Sequence, residues 1–301
     1  MKKAYGNLLL ILTALIWGCA FVAQSVGMDY VGPFTFNSVR AMIGGWVLLL
    51  LLPLLDRMKK QPKEALRLER KAQRKTLLMG GLVCGTLLAV ASSLQQVGLV
   101  DTTAAKAGFI TALYIVLVPI LGIFMRKRPS FLIWVSVAVA AVGMYLLCIT
   151  EGFRIGRGDV FMLMCALAFS FHIIAIDYFS PRVDGVRLSM IQFFVCAVWC
   201  AFPMFFSEKP AVSDILRAWL PILYAGVLSC GVAYTLQIIG QRNMNPTVAS
   251  LILSLESVFS CLAGWLILGQ ALSARELSGC ALVFLAILLA QIPMPGKQKR
   301  E

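Results

Sequence analysis

The stretch LQQVG, residues 94–98, returns in altered form as LQIIG at residues 236–240, an offset of 142 positions. The same offset sets Ala107 against Ala249, Leu113 against Leu255, Val116 against Val258 and Gly122 against Gly264. Nearer the N-terminus, ALIWG at 14–18 matches ALAFS at 166–170 with an offset of 152, which also places Arg40 opposite Gln192. Each match is slight, but all keep their order. The chain reads as two copies of one pattern.

Composition says what kind of pattern it is. The 301 residues are 60% hydrophobic with a mean hydropathy of +0.86, whereas soluble domains hold about 45–50% apolar residues. A soluble helical protein would need far more polar surface. Hydropathy and helix breakers divide the chain into ten segments, 7–26, 34–55, 77–97, 103–125, 131–149, 159–180, 187–206, 216–239, 246–268 and 274–292. Most approach the ~20 residues that a helix needs to cross a bilayer. The expected fold is therefore all-α integral membrane, with ten transmembrane helices as two inverted five-helix repeats. The copies span 8–148 and 158–291. Inversion follows from the odd number of spans, because the second copy must start from the opposite membrane face. Two such halves can exchange conformations and open a central site to each side in turn.

Charge sets the direction. Twenty of the 27 Lys and Arg residues fall on the face holding both termini and five on the other, with Arg40 and Lys106 inside spans. Positive residues stay cytoplasmic, so both termini are expected there, in a multi-pass protein of the cytoplasmic membrane. The net charge of +13 is explained by this bias and calls for no nucleic-acid partner. The basic segment 57–75 reads as a solvated loop, with a surface helix against anionic lipid as the alternative. Met-Lys-Lys before the apolar run 8–22 resembles a signal peptide but lacks a clear cleavage site, so it reads as the first retained span. The nine cysteines all lie in apolar stretches without a CxxC, and His172 is the single histidine. No metal, cofactor or disulfide framework is expected.

Four pieces, ALIWGCAF (14–21), FNSVRAMIGG (36–45), LYIVLVPIL (113–121) and LSLESVFSCLAGWLILGQALS (253–273), together resemble the EamA-type members of the drug/metabolite transporter superfamily. The resemblance covers nearly the whole chain. It implies a helical 5 + 5 inverted repeat in which spans 1–4 and 6–9 surround a cavity and spans 5 and 10 stand outside. It also implies movement of small metabolites, often outward. The chain departs from the family's Gly-Glu pair after the fourth span of each half, with Gly269-Gln270 in one copy and Arg126-Lys127 in the other. It also has Ser257 where a proline often follows the glutamate of span nine, so no proline kink is expected there.

Polar residues inside spans mark candidate substrate contacts, since an ionisable side chain at that depth costs on the order of 2.5–3.5 kcal/mol on insertion scales. Glu256 stands about ten residues into span nine, roughly 15 Å deep and near the middle of a ~30 Å core. Ala249, Ser260 and Ala263 share its direction. Ser250, Ser254, Ser257, Cys261 and Gly264 form a second small-residue stripe beside it. Its carboxyl should face the bundle, where it either meets a cationic or hydrogen-bonding substrate and exchanges a proton, or ties two helices together. Arg40 either attracts an anionic group or makes a helix contact. Lys106 can snorkel outward, and Asp177 reaches headgroups. His172 is a titratable cavity group or a buried, bonded histidine. The uncharged candidates are Trp17, Gln95, Gln96, Thr111, Tyr114, Tyr234 and Gln237. Gln95 and Gln237 hold equivalent repeat positions and read as matched gates or as helix ties.

A small-molecule secondary transporter that exports metabolites or drugs, open to proton coupling, is the leading functional expectation. No GxxxxGK[ST] run provides for ATP. A lipid flippase or non-transporting receptor on the same scaffold is the alternative. A membrane-embedded enzyme lacks its signatures: GVLSCG (226–231) is not the serine-protease motif, and Asp177 has no deep acidic partner. GxxxG at Gly81 and Gly85 serves either packing within the chain or dimerisation.

Overall fold

The computed structural model describes residues 2–58, 63–102, 104–124, 129–148, 156–242, 244–268 and 273–292. Helices α1 (Lys2–Gly27), α2 (Pro33–Met58) and α3 (Lys63–Val100) are continuous. The next span is divided into α4 (Ala104–Thr111) and α5 (Tyr114–Phe124), and α6 (Phe131–Cys148) follows. The second half opens with α7 (Arg157–Phe179) and α8 (Gly185–Pro203), the latter running into a π-helical turn at Met204–Glu208. After the short α9 (Val212–Arg217) comes a span made of α10 (Trp219–Leu223), a π-helical segment Tyr224–Ala233 and α11 (Tyr234–Gln241). Another divided span, α12 (Pro246–Leu253) and α13 (Leu255–Leu268), precedes α14 (Ala274–Gln291). No strand occurs among the described residues. Eight described stretches are long and apolar enough to cross a membrane, and residues 131–146 form a shorter apolar helix. The protein is a multi-pass membrane protein.

Local chemistry starts these helices. Pro33 fits the first turn of α2, where its missing N–H costs nothing. The Glu208 carboxylate then takes the Phe34 and Thr35 amides at 2.8 and 2.7 Å and the Thr35 hydroxyl at 2.6 Å. Asn245 accepts from the Thr247 amide at 2.9 Å to cap α12, with Pro246 at its start. Ser273 and Glu276 close a capping box on α14. The described part of the basic segment from Lys63 differs from its expected loop: it forms the first turns of α3. Arg126, Lys127, Gly269 and Gln270, and the Lys106 side chain, lie outside the described residues.

The divided spans break at positions related by the 142-residue offset. Residues 112–113 separate α4 from α5, and Ser254, the 142-offset mate of Ala112, separates α12 from α13. No proline stands at either break. In the second copy the Ser250 and Ser254 hydroxyls bond back to the Thr247 and Leu251 carbonyls at 2.9 and 2.7 Å, a competition that bends helices. The Ser257 amide bonds the Ser254 carbonyl three residues back. In the first copy Leu113 and Val116 likewise bond three residues back.

Glycines let the halves touch. A Cβ on Gly6 would lie 2.8 Å from the Gly240 carbonyl oxygen, and one on Gly240 would lie 3.0 Å from that of Gly6. Gly98 and Gly158 show the same reciprocal approach at 2.9 and 2.7 Å. By the repeat offsets Gly98 is the mate of Gly240, and Gly6 of Gly158. The two crossings, α1 on α11 and α3 on α7, are therefore counterparts. Gly81 and Gly85 press on Ile191 and Val195 of α8, so the GxxxG is used within the chain. Gly158→Val should lower the thermal unfolding temperature of detergent-solubilised protein, at a cost of about 1–3 kcal/mol for overpacking. Gly108→Ala, whose Cβ meets only the Ser257 hydroxyl at 3.8 Å, should leave that temperature unchanged or raise it.

Candidate functional site

A narrow cavity of about 30 Å³ lies between the halves. It is lined from α1, α2, α3, α4, α5, α7, the long π segment, α11, α12 and α13, and by nothing from α6, α8 or α14. Glu256, Trp17, Arg40, Gln95, Thr111, Tyr114, Tyr234 and Gln237 all stand in its wall. His172 does not. It is fully buried behind the wall, with Nε2 3.2 Å from Gln192 Oε1 and its ring against Tyr234 at a 6.1 Å centroid distance. Gln96 is fully buried, and its amide donates to the Gln24 carbonyl at 3.4 Å.

The helix breaks place the acidic corner. Tyr114 opens α5, and Glu256 is the second residue of α13. These two are repeat mates, and they face each other: the Tyr114 hydroxyl donates to Glu256 Oε1 at 2.9 Å. Ser257 turns away from the cavity and donates to the Gly108 carbonyl at 3.3 Å.

The basic corner is held by a close backbone approach of another kind. A Cβ on Gly226, in the π segment, would sit 3.1 Å from the Arg40 carbonyl oxygen. The Arg40 guanidinium donates to Gln24 Oε1 at 2.9 Å and stacks 5.4 Å from the Phe36 ring centroid. It thus makes a contact to α1 and also lines the cavity. Between the two corners Trp17 packs on Tyr234 with ring centroids 4.5 Å apart. Trp17 therefore sits inside the bundle rather than in an interfacial belt.

Sequence reasoning missed Phe21, Gln24, Phe169, Ile173, Ser229 and Leu253. Most of them had a signal. Phe169 and Ile173 are the 152-offset mates of Trp17 and Phe21, and Leu253 is the 142-offset mate of Thr111. With Gln95–Gln237 and Tyr114–Glu256, five related pairs line one cavity. Gln24 is an amide within an apolar run, like Gln95. Ser229 had no sequence signal, because its position follows from the π-helical register.

The model of the EamA-like transporter family matches residues 4–149 and again 156–291. The chain belongs to the EamA-like transporter family. It is similar to an uncharacterized transporter of Archaeoglobus fulgidus, with 32% identity over 299 residues covering 97% of this chain and 87% of that one. It is also similar to the uncharacterized transporter YoaV of Bacillus subtilis, with 21% identity over 286 residues covering 93% and 94%. A solved crystal structure shares the fold at a TM-score of 0.77 with 19% identity, covering 96% of this chain and 97% of that chain. This EamA-like protein is thus a membrane transporter, and its family implies a small-molecule solute.

The Tyr114–Glu256 bond joins the two halves of the transporter at the cavity. In a double-mutant cycle of Tyr114→Phe and Glu256→Gln, read by SDS denaturation, the two changes should couple by about 1.5–3 kcal/mol, as expected for a hydrogen bond to a charged group. Strict additivity would show that the bond is absent in the membrane.

Proposed function

We propose that the protein is a secondary transporter that exports small metabolites or drugs across the cytoplasmic membrane by alternating access, with proton exchange at Glu256. Ten spans in two inverted copies, residues 8–148 and 158–291, are part of this reading, as is the placing of both termini in the cytoplasm. One observation carries it: five pairs of repeat-related positions converge on a single buried cavity. Packing supports the exchange of roles. The approach of α3 to α7 has its counterpart in that of α1 to the span ending in α11, and α6 packs on α14. Each glycine crossing lies at a different membrane face in this topology, Gly6–Gly240 on the cytoplasmic side and Gly98–Gly158 on the other. Opening one while keeping the other is alternating access. Broken helices at a central site are how membrane proteins line a cavity with free backbone groups.

Comparative metabolite profiling of cells and medium, with and without the protein, tests the reading. One or more small metabolites should accumulate in the medium, and Glu256→Gln, inserted at wild-type level, should cut that accumulation by about tenfold and flatten its pH dependence. An unchanged rate and pH profile in Glu256→Gln would remove the glutamate from the mechanism. Green fluorescent protein fused to either terminus should fluoresce, as it does in the cytoplasm.

A further inference from the structure

One side of α2 looks outward, away from the central cavity. Val39, Met42, Trp46 and Leu50 recur every three or four residues and so form one stripe along the helix. Ala201 at the end of α8 and Phe205 in the π-helical turn stand across from it. Between them runs a groove of about 460 Å³ that shares no lining residue with the central cavity. Met42, Trp46, Leu50 and Phe205 are exposed, so the groove opens on the lipid side of the bundle. Its cause is local. The Ser38 hydroxyl donates to the Ala197 carbonyl at 3.0 Å and ties the two helices there. One turn further along α8, the small side chain of Ala201 leaves the space unfilled.

Three features say what fills it. The lining carries no charge and its serine is already bonded, and apolar cavities take apolar guests rather than water. From Val39 to Leu50 the stripe rises about 17 Å at 1.5 Å per residue, close to the ~15 Å of one leaflet in a ~30 Å hydrocarbon core. The third feature is a cation at the mouth. The Lys209 amide donates at 3.0 Å to the carbonyl of Met204, itself a lining residue. Lys209 is held in the left-handed region at φ 45°, a conformation that costs a residue with a Cβ. Glu208 beside it spends its carboxylate on Phe34 and Thr35 at the start of α2. Lys209 is exposed and belongs to no described ion pair.

We propose that this groove is a binding site for one phospholipid, with an acyl chain lying along α2 from Val39 to Leu50 and the phosphate at Lys209. The lipid comes from the leaflet at the face where α2 begins. Its chain supplies the apolar length that the stripe matches, and its headgroup supplies the anion that Lys209 lacks. The bound lipid seals the seam between α2, from the first half, and α8, from the second. The site stands apart from the transported solute and does not depend on what that solute is.

Native mass spectrometry of the full-length transporter, stripped of loosely held lipid by detergent washing, tests this. The wild-type protein should keep one phospholipid per chain. Ala201→Phe, whose ring fills the groove, should lower the retained fraction about tenfold, the scale of overpacking a filled site. Lys209→Glu should lower it about threefold, the scale of an exposed ion pair, while Lys209→Arg should keep it. Lys209 is exposed, so its two variants read the headgroup contact without putting folding at stake. Leu285→Phe, a lipid-facing change on α14, should leave retention at the wild-type level. Retention in Ala201→Phe equal to wild type would overturn the site, as would an equal loss in Leu285→Phe. A retained fatty acid or detergent in place of phospholipid would overturn the assigned occupant.

Discussion

Two backbone-on-backbone crossings, Gly6 on Gly240 and Gly98 on Gly158, decide how the halves of this protein can meet. Each crossing takes one residue from each half, and the repeat offsets turn one crossing into the other. At these points the helix axes come as close as glycine permits. The four helices so joined, α1, α11, α3 and α7, carry Trp17, Phe21, Gln95, Phe169, Ile173, Tyr234 and Gln237 into the cavity wall. In a bilayer no hydrophobic force drives helices together, so small residues that allow close packing do much of that work. The wall is therefore a consequence of where side chains are absent as much as of where they are present.

The broken spans follow a second constraint. Every backbone group at membrane depth needs a partner, and irregular backbone survives there only beside a cavity or inside protein. The breaks at 112–113 and 254 lie against the cavity. They place Tyr114 and Glu256 at the start of fresh helices, where their side chains meet across the interface between halves.

The helical membrane character was legible in the sequence because composition and span length are averages over many residues. Eight of the candidate contacts, all but His172 and Gln96, line one cavity because polarity within a span is costly and seldom idle. Legibility ended where geometry depended on a local contest between hydrogen bonds. The runs 103–125 and 246–268 are apolar throughout, so hydropathy sees one span where serine back-bonds and three-residue turns make two pieces. His172 failed as a wall residue for a different reason. Depth alone cannot distinguish the inner layer from the one behind it, where Gln192 meets the ring. The 152 offset links Trp17 to Phe169, so the repeat itself marks that wall position.

Two of the offset-related pairs differ in charge. Glu256 has Tyr114 as its mate, and Arg40 has Gln192. The pairs Trp17–Phe169, Phe21–Ile173 and Gln95–Gln237 keep the character of the wall in both halves, while Arg40 and Glu256 give it polarity. Arg40 belongs to the first half and Glu256 to the second, so in the proposed transport cycle a solute that engaged both would be held by two bodies moving against each other. A ligand shifts a conformational equilibrium only by the difference in its affinity for the two states. Contacts confined to one half would travel with that half and supply no difference. Contacts divided between the halves change with any relative motion, so in the proposed alternating-access cycle a solute held from both sides would bias that motion.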